Sequence, residues 1–110
     1  MKHQIKEEGG ALVVAFEGDI DLKTSPDARK ILLGAVARNL PVVVDLSAVQ
    51  YIDSSGVASL IESFQKARKS GHKFVLAAVS ESALRVLNLA RMDKVFTLCP
   101  SVAEGLDKVR

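Results

Sequence analysis

The sequence has a single cysteine, Cys99, in 110 residues, which excludes an internal disulfide and suits a reducing cytoplasm. Long apolar runs are missing too, so no segment is expected to insert in a membrane. Met1 to Gly10 is polar and lacks the apolar core of a secretory signal. Aromatic residues make up only 5%, and the net charge of +2 is spread along the chain. With no basic block carrying interleaved aromatics, a nucleic-acid partner is not expected. Glycine-rich phosphate loops of the P-loop or dinucleotide kind do not occur, nor does a Gly-x-Ser-x-Gly elbow. The two histidines, His3 and His72, are not placed by sequence near Ser54 or Cys99, so a catalytic triad has no evident base. Cys99 reads as a small buried residue. No catalytic residue and no cofactor is implied, and no repeat, low-complexity segment or linker divides the chain.

What is present is ordinary for a folded domain: 48% hydrophobic and 25% charged residues, enough for one core and hence a single domain over 1–110. The chain is organised around residues 41–56, PVVVDLSAVQYIDSSG. Val42, Val43 and Val44 are consecutive β-branched residues, the pattern of a parallel strand buried on both faces. Leu46 to Tyr51 then reads as a short half-buried connection. After Gly56 the period becomes 3.6, with Val57, Leu60, Ile61, Phe64 and Ala67 on one stripe of a helix that Gly71 ends.

Around this unit, Ile5 to Glu8 and Ala11 to Phe16 form a hairpin through Gly9-Gly10. Ser25-Pro26-Asp27 starts a helix, with Ser25 able to cap and proline in the first turn, and that helix runs to about Asn39. Phe74 to Val79 is another buried strand, and Ser80 caps a helix that ends at Met92-Asp93. Val95 to Leu98 is a last short strand, and Ser101 with Glu104 opens a final helix. The order β-β-α-β-α-β-α-β-α predicts an α/β domain with a mixed, mostly parallel sheet of four to five strands and about four helices.

Ligand and partner sites in such sheets lie outside the carboxyl ends of the parallel strands. Asp53 and Ser54 follow one such end, and Asp19 and Asp21 are expected at the same rim, on one side if the backbone there is still extended. Two readings of Ser54 stand together. Its hydroxyl can cap the helix, or one of the two serines can be a phosphorylation site whose added charge repels a docked partner. The carboxylates could instead hold a cation or act as an acid and base pair. A receiver-like metal site is disfavoured, because the chain opens with a hairpin and has Cys99-Pro100 where a lysine is wanted.

Residues 45–56, DLSAVQYIDSSG, preceded by GDID at 18–21 and the Ser-Pro helix start, resemble the STAS domain, in particular the bacterial anti-sigma factor antagonists. The resemblance covers nearly the whole chain. It implies a switch in partner swapping: the unphosphorylated protein binds an anti-sigma factor that is also a serine kinase, phosphorylation releases it, and a serine phosphatase restores it. Carried onto this chain, the acceptor is Ser54 with Ser55 its neighbour, Asp21 and Asp53 frame it, and Asp19, Gly56 and Ser59 complete the partner-binding surround. Two positions depart from the family pattern: Val57-Ala58 stands where a second glycine is common, and a family glycine is replaced around Arg91. A different role within the resemblance is a small subunit of a lipid-trafficking ABC transporter.

Overall fold

The computed structural model describes residues 1–110. Five strands, β1 (Lys2–Glu8), β2 (Ala11–Ile20), β3 (Val42–Ile52), β4 (Phe74–Ala77) and β5 (Thr97–Cys99), form one sheet in the order β1-β2-β3-β4-β5. β1 is antiparallel to β2, and all other neighbours are parallel. The helices are α1 (Ser25–Val36), α2 (Ser54–Lys69), α3 (Glu81–Leu89) and α4 (Val102–Val109), with a turn of 3-10 helix at Met92–Lys94. The mixed, mostly parallel α/β architecture expected from the sequence is the one observed.

Strand order dictates the layers. Each parallel strand is laid beside the previous one in the same direction, so right-handed crossovers put α1, α2 and α3 on one face of the sheet. The larger core forms there, where Leu12, Val14, Val42, Val44 and Leu76 meet Leu32, Leu60 and Leu87. The other face is left to α4, whose Leu106 and Val109 cover Val13, Val43 and Val75. Val42 to Val44 therefore alternate between two cores, which is why the run is continuously apolar.

Helix ends follow the expected chemistry in three places. Gly71, at φ +77°, ends α2, with the His72 amide donating to the Ala67 carbonyl at 2.9 Å and the Gly71 amide to that of Arg68 at 3.1 Å. Ser80 and Ser101 cap α3 and α4 by accepting from the amides of Ala83 and Glu104. Ser25 departs from expectation. Thr24 holds the N-cap position of α1 with no side-chain cap, its hydroxyl being engaged in the preceding turn, while Ser25 is buried.

The strands also differ in extent. β1 begins at Lys2 rather than Ile5, and β2 continues beyond Phe16 to Ile20. Leu46 to Tyr51 is not a connection but the second half of β3, which has lost β4 there yet still pairs with β2. Two register shifts along that pairing twist the strand, so the buried residues Leu46, Val49 and Ile52 fall three apart and the period-two signal disappears. β4 stops at Ala77, before the left-handed Ala78 at φ +51°. β5 spans Thr97–Cys99 rather than Val95–Leu98, because Val95 still closes the 3-10 turn.

Candidate functional site

The site is built where β2 and β3 end side by side. Ile20 is in register with Ile52, and the chain leaves each into an acidic turn: Asp21 after β2, Asp53 after β3. The Asp53 amide donates to the Ile20 carbonyl at 3.2 Å, which ties the two turns together.

Asp53, not Ser54, is the N-cap of α2. Its backbone is extended, and its Oδ1 accepts from the amides of Ser55 at 3.0 Å and Gly56 at 3.2 Å and from the Ser55 hydroxyl. Those donors, the Ser55 hydroxyl foremost, hold the Asp53 carboxyl below its ordinary value against the opposing effect of partial burial. An ionised carboxylate is well placed there, at the positive end of the helix. Ser54 is thereby displaced into the first turn, exposed to solvent, with capping done without it. Ser55 differs: it is half-buried and its hydroxyl is engaged.

Asp21 organises the other turn. The β2 strand has ended by then, so Asp19 and Asp21 do not share an extended segment as the alternation predicts. Asp21 Oδ1 accepts from the amides of Lys23 at 3.0 Å and Thr24 at 3.1 Å, which lower its carboxyl pKa, the Thr24 amide most. Asp53 acts in the opposite direction through its like charge, so the two carboxylates lie close enough to feel each other. Asp19 is exposed, and its carbonyl accepts from the Thr24 hydroxyl at 2.8 Å. The three aspartates share a rim but do not form a three-ligand cluster of the kind that chelates a metal.

Two residues of the sequence-derived surround lie inside the fold. Ser59 is 5% exposed, and its hydroxyl lies 3.2 Å from the carbonyls of Ser25 and Ser55, within the packing of α1 on α2. Gly56 is buried where a Cβ would stand 2.8 Å from the Ile20 carbonyl oxygen and 2.7 Å from Ile52 Cγ1. The resemblance implies both as part of the partner-binding surround, yet helix periodicity turns them inward. Sequence reasoning also missed two exposed apolar side chains, Leu22 at 77% and Tyr51 at 51%. The Leu22 amide faces the Asp53 carboxylate, and Tyr51 is in register with Asp19, so both flank the same rim. A signal for Leu22 exists in the sequence: it is a lone leucine between Asp21 and Lys23 in a turn.

The site is thus an accessible hydroxyl in the first turn of a helix, framed by carboxylates and exposed apolar side chains, on a small α/β domain with all three crossovers on one face of its sheet. The STAS domain profile matches residues 2–105, and the chain belongs to that family. It is 31% identical over 107 residues to the anti-sigma-F factor antagonist RsfB of Mycobacterium tuberculosis, covering 96% of this chain and 87% of that protein. The anti-sigma-B factor antagonist of Bacillus subtilis is 22% identical over 102 residues, 93% of this chain and 94% of its own. The crystal structure of an anti-sigma factor antagonist from Mycobacterium paratuberculosis superposes with a TM-score of 0.91 at 31% identity, covering 99% of this chain and 93% of the other.

Proposed function

We propose that this chain is an anti-sigma factor antagonist that binds an anti-sigma factor through the Ser54 rim and is released when that partner, acting also as a serine kinase, phosphorylates Ser54. The carrying observation is the division of labour at the start of α2. Asp53 caps the helix and engages the Ser55 hydroxyl, which leaves the exposed Ser54 hydroxyl as the one available to a kinase. The names of the relatives at 31% and 22% identity support the anti-sigma factor antagonist part of this reading.

In the transfer, Ser54 Oγ attacks the γ-phosphorus of ATP, ADP leaves and the hydroxyl proton is released. A serine phosphatase returns the hydroxyl by adding water and releasing phosphate. The chain is substrate and regulator in this cycle, works in the cytoplasm and performs no catalysis. A phosphate on Ser54 brings nearly two negative charges. The amides of Ser55 and Gly56 that could neutralise them already bond Asp53, so the new charge adds to those of Asp53 and Asp21. A partner seated over Leu22 and α2 meets that charge directly, and the complex dissociates without refolding.

The test is a paired pull-down from the source organism with the wild-type chain and Ser54→Asp as baits. A serine kinase retained by the wild type and lost by the variant is expected. ATPase and permease subunits held equally by both would overturn the proposal in favour of a transporter subunit.

A further inference from the structure

The two edges of the sheet are treated differently. β5 is three residues long and is followed by Pro100, which blunts that edge. β1 is seven residues long, regular and free of proline, and pairs with β2 from Lys2 opposite Glu17 to Glu8 opposite Ala11 with no bulge. Every residue of β1 is exposed, including Ile5 at 37%. One side of its backbone is therefore open along its whole length.

Charges on an edge strand normally deter pairing, since an arbitrary strand brings the wrong signs. Here their order, Lys-His-Gln-Ile-Lys-Glu-Glu, is self-complementary. With a second copy laid antiparallel and Ile5 opposite Ile5, Lys2 falls opposite Glu8, and His3 opposite Glu7. The remaining pair, Gln4 with Lys6, has no like charge. A shift by two residues in either direction sets a lysine against a lysine: Lys6 on its own copy one way, Lys2 on Lys6 the other. Parallel pairing in register faces every charge with its like.

We propose that β1 is a self-association edge, on which a second copy of this chain docks antiparallel about a two-fold axis through Ile5 to give a continuous ten-stranded sheet. The contact is isologous, so each favourable pair occurs twice and the assembly closes as a dimer. It leaves the Ser54 rim free in both copies, because that rim belongs to the ends of β2 and β3 and to α2.

Sedimentation velocity on the full chain, carrying no N-terminal tag, tests this at concentrations up to about 1 mM, the range of a weak contact. A monomer–dimer equilibrium is expected. Lys2→Glu and Glu8→Lys should each weaken it about tenfold, since each turns two attractions into two repulsions. The double variant exchanges the charges and should return the dissociation constant to within about threefold of wild type. Neither residue takes part in an ion pair within the chain, and far-UV circular dichroism of each variant should match wild type. A monomeric wild type, a dimer indifferent to the single reversals, or a double variant that fails to recover would each overturn the proposal.

Discussion

The Asp53 amide reaches the Ile20 carbonyl across 3.2 Å, and this backbone contact makes one unit of two turns that are far apart in sequence. Each turn is closed by an aspartate accepting from amides two and three residues on. The pair therefore fixes where α2 begins relative to the end of β2, and with it where Ser54 stands.

Removing the Asp53 carboxylate leaves the first amides of α2 without their acceptor. Asp53→Ala should lower unfolding free energy by about 1 kcal/mol, whereas Asp53→Asn, which keeps an acceptor oxygen, should lose less. Urea denaturation of the three proteins decides this, and equal stability of Asp53→Ala and wild type would remove the cap from the account.

Acid should weaken the fold through both turns. The folded-state pKa values of Asp21 and Asp53 lie below their ordinary value of 3.8. A group depressed in this way contributes stability that is present above the unfolded pKa and lost as pH falls through the folded one. Thermal unfolding followed from about pH 5 downward should show a falling midpoint, and Asp21→Asn or Asp53→Asn should make that slope shallower. An unchanged slope in both variants would contradict the hydrogen-bond geometry.

Gly56 is required for space. A methyl group there collides with the Ile20 carbonyl and with the side chains of Ile20 and Ile52, all of which belong to backbone or buried core that cannot readily move. Gly56→Ala should destabilise by about 2 kcal/mol. A thermal melt that does not move would show that the start of α2 can slide away from β2.

Arg91 sits in the left-handed region at φ +60°, between α3 and the 3-10 turn. A side chain there costs roughly 1–2 kcal/mol, which exceeds the added chain freedom that a glycine brings to the unfolded state. Arg91→Gly should therefore stabilise the protein by about 0.5 kcal/mol, read as an upward shift in denaturation midpoint.

Much of this was legible before the structure. The Val42 to Val44 run, the stripe of α2 and the Gly71 stop carry local signals strong enough to give strand, helix and boundary. The second half of β3 was not legible, because its exposure pattern is set by the twist of its pairing with β2 and not by any period in its own residues. The cap illustrates a second limit. Four consecutive residues from Asp53 to Gly56 all suit a helix start, and only the register of Ile52 against Ile20 decides that the aspartate takes the position. Ser59 shows a third: six residues from the cap, a serine reads as surface until α1 is packed over it.

The uninterrupted strand order has a kinetic consequence. Every strand lies beside its neighbour in sequence, so no pairing waits for a distant part of the chain. Closing each unit costs only the entropy of one helical crossover, and each new strand finds its template already formed. A chain of this kind can assemble from its N-terminal hairpin onward during synthesis, with β5 and α4 added last. The rim that carries Ser54, made from β2, β3 and the start of α2, is then complete before the final third of the polypeptide is in place.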